Sequence, residues 1–241
     1  MSPTGFATLV LAAIALTTSL RLWLGWRQIR HVASARGMVP AAFSDRITLA
    51  QHQTAADYTV ARVRVAMVEL IAETALLLAL TVGGGLEAID AALADGIGRG
   101  HAHGLALFAA VGALSALVGL PFSWYHTFRL ESRFGFNRST MALWLADLAK
   151  GAALAVVVGG PLLLAVLWLM AAMGERWWLY VWCAWLGFNL LLMLIYPTVI
   201  APLFNKFTPL ADGAVKQRIE ALLARCGFSA SGLFVMDGSR R

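Results

Sequence analysis

The sequence predicts an all-α integral membrane protein, a five-helix transmembrane bundle followed by the start of a cytoplasmic α/β segment. Of its 241 residues, 60% are hydrophobic and 13% are charged, which is too apolar for an ordinary soluble domain. Its apolar residues also form five runs of about 20 residues, the length that crosses roughly 30 Å of hydrocarbon. The net charge of +6 does not indicate nucleic acid, because the basic residues alternate with the apolar runs rather than lining one face.

The membrane domain is predicted to cover residues 1–196. Its spans are Phe6–Leu24, Val65–Gly83, Leu105–Tyr125, Leu148–Met173 and Trp177–Tyr196. The first run follows "MSPTG", which has no basic residue, so it is read as a retained helix rather than a cleaved signal peptide.

Lys and Arg set the predicted orientation. They are concentrated after the first, third and fifth spans, whereas the two other loops carry only Arg99 and Arg176. Arg21, one turn from the inner end of the first span, can snorkel to the interface. The positive-inside rule therefore places the N-terminus outside and the C-terminus in the cytoplasm. The excess of Arg over Lys is typical of a GC-rich bacterial genome, and the predicted location is the bacterial inner membrane.

Two spans contain helix-breaking residues. Gly159-Gly160-Pro161 is expected to kink or break the fourth span, and Pro121 does the same in the third. Helices broken within a membrane are tolerated where protein or a water-filled cavity covers the exposed backbone, so a hollow bundle is one interpretation. Ordinary packing irregularity is the other.

The second span carries Glu69 and Glu73, which share one helix face about 6 and 12 Å into the membrane. A charged carboxylate at the bilayer centre costs about 2.5 to 3.5 kcal/mol on insertion scales. The pair is therefore predicted to face the bundle interior, either lining an internal chamber or making a polar contact that fixes helix packing. Arg62 and Arg64 are candidate counter-charges, unless they point to lipid headgroups.

The tail, residues 197–241, changes character at Pro197. Pro197, Pro202 and Pro209 predict an extended connector rather than a continuing helix. An amphipathic helix is expected next, capped by Asp212 and closed by Gly227, followed by a short strand in "GLFVMDG". One helix and an unpaired strand cannot form a stable domain, so the tail is interpreted as the start of a truncated soluble domain.

Several uncommon strings occur together in this sequence: "RLESRFGFNRST", "LADLAKG", "YPTVIAPLFNKFTPL" and "GLFVMDGSRR". In this order they closely resemble the N-terminal region of the type I CAAX prenyl proteases, which are integral-membrane zinc metalloendopeptidases. The resemblance covers the chain from about Arg129 onward, and the earlier spans agree only in number and topology. It implies five membrane helices enclosing a hydrated chamber, with a zinc-binding H-E-x-x-H helix later in the polypeptide.

The resemblance assigns no catalytic or metal-binding residue to this chain. Its histidines, His31, His52, His101, His103 and His126, form no H-E-x-x-H pattern. His101 and His103 are interpreted as residues of a solvated outer loop, and His126 as an interfacial residue. Zinc is expected for the full-length family protein, and the chain alone is not expected to hydrolyse peptides. The expected partners are the lipid bilayer, a missing C-terminal catalytic domain and a protein or peptide substrate.

The loop string "FGFN" is predicted to hold that catalytic domain over the chamber. Gly135 can adopt backbone angles denied to other residues, which lets Phe134 and Phe136 face different partners while Asn137 makes local hydrogen bonds. The proposed docking partner is the connector formed by Pro202, Leu203, Phe204 and Asn205. The alternative is an interfacial loop whose phenylalanines dip into lipid.

Two other function classes remain open. One is a non-catalytic membrane scaffold or regulator that binds a protease partner. The other is a small transporter that uses Glu69 and Glu73 as a proton or cation site, but the absence of an internal repeat makes it the weakest candidate.

Overall fold

A computed structural model describes residues 2–230 and 232–237 of the chain. The chain divides into two compact units, one up to Asn137 and one from Arg138 onward, and each is described by itself. The large apolar side chains of both units are mostly exposed, as expected for helices that face lipid rather than water.

Long helices build the first unit. In chain order they are α1 (Pro3–Ala35), α2 (Leu49–Thr81), α3 (Gly85–Ile97) and α4 (His101–Tyr125), with a 3-10 turn at Ala41–Phe43 and a π-helical turn at His126–Glu131. Local sequence fixes where two of them begin. The Ser2 hydroxyl accepts from the Gly5 amide at 3.1 Å at the start of α1. Thr48 and Gln51 form a reciprocal capping box at the start of α2.

The main contact of this unit is the antiparallel pairing of α1 with α2. Gly25 permits a close approach, because a Cβ there would lie 3.1 Å from the Met67 side chain. The Thr74 hydroxyl donates to the Leu70 carbonyl at 2.7 Å, so in the 3.4 Å contact between Thr18 and Thr74 the donor is Thr18. Both helices extend well past the predicted spans on the side of the loop that joins them.

The segment between the second and third predicted spans differs from the sequence prediction. Helix α3 follows α2 after a 56° bend, and Gly84 makes the turn with a φ of +72°. His103 is not in a solvated loop. It lies in the first turn of α4, is only 8% exposed, and its Nε2 lies 3.1 Å from the Asp90 carbonyl and 3.2 Å from the Asp90 carboxylate. Helix α3, which supplies Asp90, packs on α4, and a loop interpretation could not anticipate this contact.

The second unit is a helical hairpin followed by a small α/β tail. Its elements are α5 (Met141–Leu154), a π-helical turn (Ala155–Gly159), α6 (Gly160–Ala172), a 3-10 turn (Gly174–Arg176), α7 (Trp177–Ile195), a π-helical turn (Tyr196–Ile200), α8 (Ala201–Phe204), β1 (Phe207–Pro209), α9 (Ala214–Arg225) and β2 (Phe234–Met236).

The expected helix breaks do not occur. Met141–Ala172 is one continuous helix, and Gly159-Gly160-Pro161 produces a π-helical turn in it rather than an interruption. Pro161 occupies the first turn of α6, where its missing N–H matters least. Pro121 likewise lies inside α4, and the helix continues past it to Glu131.

The predicted extended connector is also wrong over its first part. Helical structure continues from α7 through Phe204, with Pro197 and Pro202 each in the first turn of a new segment. The π-helical turn between them changes the hydrogen-bond pattern, so neither proline removes a bond that the helix needs. Extended backbone begins at Asn205, where φ is −128° and ψ is 147°.

The tail forms a strand pair. Strands β1 and β2 are antiparallel, with Thr208 opposite Val235, so the strand predicted to be unpaired has a partner. Helix α9 is capped by Gly213 rather than Asp212. The Asp212 carboxylate instead accepts from Lys216 at 2.7 Å, and this hydrogen bond and charge lower the pKa of Asp212. Gly227 closes the helix with a φ of +70°, as predicted.

Candidate functional site

The predicted chamber residue Glu69 faces a histidine. Its Oε2 lies 4.0 Å from Nε2 of His126, in the π-helical turn that follows α4, and both side chains are partly shielded, at 31% and 26% exposure. From the sequence, His126 is predicted only to be an interfacial residue. Because a π-helical turn shifts the helix face by a fraction of a turn, regular helical spacing could not reveal this contact.

Glu73 lies one turn further along α2 and borders the seam between α1 and α2. Grooves along this seam are lined by Glu69, Glu73 and Arg21. Arg21 is therefore the basic residue on this seam, and not Arg62 or Arg64, which line neither groove. The seam brings the two carboxylates, the Arg21 guanidinium and threonine hydroxyl groups together within the apolar helices. This arrangement is suited to holding water or the polar groups of a peptide.

The "FGFN" string forms a helix end. Gly135 has a φ of +75°, the Phe136 amide donates to the Glu131 carbonyl at 2.9 Å, and the Gly135 amide donates to the Ser132 carbonyl at 3.2 Å. This is the hydrogen-bond pattern of a left-handed glycine cap, which satisfies the last carbonyls of the helix. The Asn137 side chain donates to the Ser132 hydroxyl at 3.0 Å and fixes the residues after the cap.

The glycine cap brings both phenylalanines into contact with one tyrosine. Phe134 and Phe136 meet Tyr58 of α2 edge to face, with ring centroids 5.3 and 5.0 Å away. Asp57, the residue before Tyr58, forms a two-pronged ion pair with Arg36 at distances of 2.7 and 2.9 Å. Tyr58 could not be identified from the sequence, because no local pattern links a tyrosine in α2 with a loop more than 70 residues later.

The predicted docking residues of the connector lie at the end of α8. The Asn205 amide donates to the Ala201 carbonyl at 3.0 Å and closes the helix. Lys150 of α5 donates to the Leu203 carbonyl at 3.0 Å, and its ammonium lies 5.9 Å from the centroid of the Phe204 ring. These contacts are all within the second unit, so docking between this segment, which includes Pro202, and the "FGFN" loop stays a prediction.

Zinc has no suitable ligands among the residues described. Within 2–230 and 232–237, no group of three or more His, Cys, Asp and Glu side chains is arranged to hold a metal ion. The described residues thus do not fit the zinc site that the resemblance implies, and no chemical step through zinc is derived from them.

Comparison with known proteins gives a family match over most of the chain. A family model described as the CAAX prenyl protease N-terminal region, with five membrane helices, matches residues 28–206. The chain is 42% identical over 139 residues to a CAAX prenyl protease 1 homolog of Arabidopsis thaliana, covering 58% of this chain and 33% of that protein. It is 41% identical over 140 residues to CAAX prenyl protease 1 of Saccharomyces cerevisiae, covering 58% and 31%.

The fold is similar to a solved structure. The crystal structure of S. mikatae Ste24p matches with a TM-score of 0.85 and 31% sequence identity, over 97% of this chain and 56% of that one. The matched region spans about a third of the curated relatives. These relatives are eukaryotic, so they give no support to a bacterial inner membrane, which stays a prediction.

Proposed function

This chain belongs to the CAAX prenyl protease family, and we propose that it is the membrane portion of a zinc metalloendopeptidase that cleaves membrane-associated or prenylated-type substrates inside a membrane chamber. The observation that carries the proposal is the joint match in sequence and fold. The family model covers residues 28–206, and the similarity to Ste24p extends over 97% of the chain. The identity of 31% to that structure supports a shared architecture as well as a shared ancestor.

The seam between α1 and α2 supplies the proposed chamber wall. Glu69 and Glu73 are turned toward Arg21 and His126 rather than isolated among lipid-facing residues. A polar row of this kind, at a depth where an isolated carboxylate costs about 2.5 to 3.5 kcal/mol, is expected where water or a polar substrate reaches the helices. In the proposed role these residues hydrate the chamber and hold the peptide backbone.

The chemistry itself is assigned to another part of the parent polypeptide. Zinc bound by an H-E-x-x-H helix would activate a water molecule for attack on the peptide bond. That helix is proposed to belong to a C-terminal catalytic domain, in which case this chain alone is inactive. We propose that the "FGFN" loop and the segment Pro202–Asn205 form the surface that contacts that domain.

The proposed orientation has the N-terminus outside and the C-terminus in the cytoplasm. The basic residues support it, since Arg36 and Arg133 lie at helix ends that this orientation puts on the cytoplasmic side, and Arg64 directly precedes the predicted second span. The catalytic domain would then lie at the cytoplasmic mouth of the chamber.

A direct test starts from the source DNA beyond the codon for Arg241. If the frame continues through H-E-x-x-H, the full-length protein is reconstituted in liposomes with zinc and given a farnesylated peptide. Cleavage that a chelator abolishes and added zinc restores is the expected result. The matched control replaces the glutamate of H-E-x-x-H with glutamine, which should remove activity without loss of the folded protein.

Two outcomes would contradict the proposal. A stop codon directly after Arg241, with a partner protein that co-purifies, would favour the scaffold or regulator. A continuous frame whose product binds zinc but leaves both prenylated and unprenylated peptides intact would remove the peptidase assignment.

A further inference from the structure

Two adjoining grooves in the first unit share Arg64. The basic groove, of about 460 Å³, is lined by Arg36, Asp57, Arg64 and Arg133 together with small apolar residues. The apolar groove, of about 390 Å³, is lined by Arg64 and by Val65, Val68, Pro121, Phe122 and Tyr125. A strongly basic groove and an apolar groove thus border the same residue, Arg64.

The basic groove has an excess of positive charge. Its carboxylate, Asp57, is held by Arg36 through hydrogen bonds of 2.7 and 2.9 Å. Arg133 lies over the Phe134 ring, 5.6 Å from its centroid. Across the described parts of the chain, neither Arg64 nor Arg133 forms an ion pair with a carboxylate. Two guanidiniums are therefore available to an anion, and a planar guanidinium suits a phosphate oxygen pair.

The grooves lie at the depth of the lipid headgroups. From Arg64 to the end of α2 at Thr81 the helix rises about 26 Å, close to the roughly 30 Å thickness of the hydrocarbon core. Arg64 therefore lies near one boundary of the hydrocarbon. Asp57 is about 10 Å further toward water, and Val68 is about 6 Å further into the membrane.

We propose that these grooves bind one anionic phospholipid, with its phosphate between Arg64 and Arg133 and an acyl chain along Val68 and Phe122. Basic pockets between membrane helices recognise anionic headgroups in this manner. The apolar groove extends the site beyond the headgroup, so a free anion would fill only half of it.

The position of the apolar groove favours a lipid over a prenylated peptide. At 100° per residue, Val68 projects from α2 about 140° away from Glu73. The Val68 end of the groove therefore points away from Glu73, whereas Val65, four residues before Glu69, shares the helix face of Glu69. Val68 is also exposed, as expected for a side chain that meets the bilayer.

The test measures lipid binding to the whole 241-residue chain in detergent by native mass spectrometry, titrating with phosphatidylglycerol and phosphatidylcholine. Phosphatidylglycerol should bind more tightly. Arg64→Gln and Arg133→Gln should each weaken its binding about fivefold, and the double variant about 25-fold. Arg62→Gln is the matched control, because Arg62 is on the same helix but lines neither groove. It should leave affinity unchanged.

Two further variants keep the test decisive if an arginine variant does not fold. Asp57→Asn removes the competing carboxylate and should tighten phosphatidylglycerol binding. Val68→Trp fills the apolar groove and should weaken the lipid without changing the binding of inorganic phosphate.

Three results would overturn the proposal. Equal affinity for the two lipids, or an Arg62→Gln effect equal to that of Arg64→Gln, would mean that the grooves do not select the headgroup. Inorganic phosphate that competes at the same concentration as phosphatidylglycerol would indicate a simple anion site. A farnesylated peptide with a free carboxylate that displaces the lipid at lower concentration would assign the grooves to substrate instead.

Discussion

A single backbone torsion angle, the φ of Gly135, sets the geometry of the "FGFN" loop. This φ of +75° ends the helix, and the cap brings Phe134 and Phe136 to the same tyrosine. The position of Gly135 between two phenylalanines was enough to predict that it adopts backbone angles that other residues avoid. The partner Tyr58 could not be predicted, because the contact depends on how two distant helices pack. Asp212 shows the opposite case, since a residue with the chemistry of an N-cap forms an ion pair with Lys216 instead.

The Gly135→Ala substitution should destabilise the loop by about 1 to 2 kcal/mol, because a Cβ disfavours the left-handed conformation. No atom within 4 Å would clash with that Cβ, so strain in the backbone is the expected cause. The measurement is thermal unfolding of the purified chain in detergent. Gly112→Ala is the matched control, with equally open space but a helical backbone, and it should be neutral or slightly stabilising. Equal effects of the two changes would exclude torsional strain as the reason for a glycine at position 135.

At the scale of helices and strands, the lengths of the apolar runs predicted the positions of the long helices. The prolines, in contrast, predicted interruptions that the helices do not have. The five predicted runs lie in helices to within two residues at their ends, because a stretch of about 20 apolar residues in lipid must satisfy its own backbone. Pro121, Pro161, Pro197 and Pro202 were expected to interrupt helices, yet helix continues through or immediately after each one. Three of them occupy first turns or follow π-helical turns, where an absent N–H costs little. Helix α3 was missed because its thirteen residues are too short for a span.

The two sides of α2 should differ in their contact with water. Glu73 is predicted to line a hydrated chamber, whereas Ile71, two residues away and 52% exposed, points from a different face of the helix. With Cys183 and Cys226 replaced by serine, the Glu73→Cys variant should react several times faster with a charged thiol reagent than the Ile71→Cys variant, since the thiolate forms only where water is present. Equal and slow labelling of both positions would support a dry packing contact for Glu73.

At the scale of the whole molecule, composition and the spacing of basic residues were enough to predict a helical membrane protein. The strand pairing in the tail was not predictable, because "KFTPL" reads as connector unless its partner β2 is known. The family resemblance rested on strings after Arg129, and the match now extends from residue 28 to residue 206. Side-chain contacts across the first unit, such as Glu69 with His126, depend on helix packing that no local pattern specifies.

Orientation is the prediction that applies to the entire chain, and natural cysteines make it testable. Cys226 lies exposed at the end of α9, whereas Cys183 lies inside the apolar α7, where water-soluble reagents do not reach it. In a Cys183→Ser background, an impermeant maleimide added to intact cells should leave Cys226 unlabelled, because the tail is predicted to be cytoplasmic. In a background that lacks both natural cysteines, His101→Cys should be labelled, since His101 begins α4 on the predicted outer side. Permeabilised cells, in which both sites should react, control for accessibility. Labelling of Cys226 and protection of His101→Cys in intact cells would reverse the orientation, and the proposed catalytic domain would then lie on the outer side of the membrane.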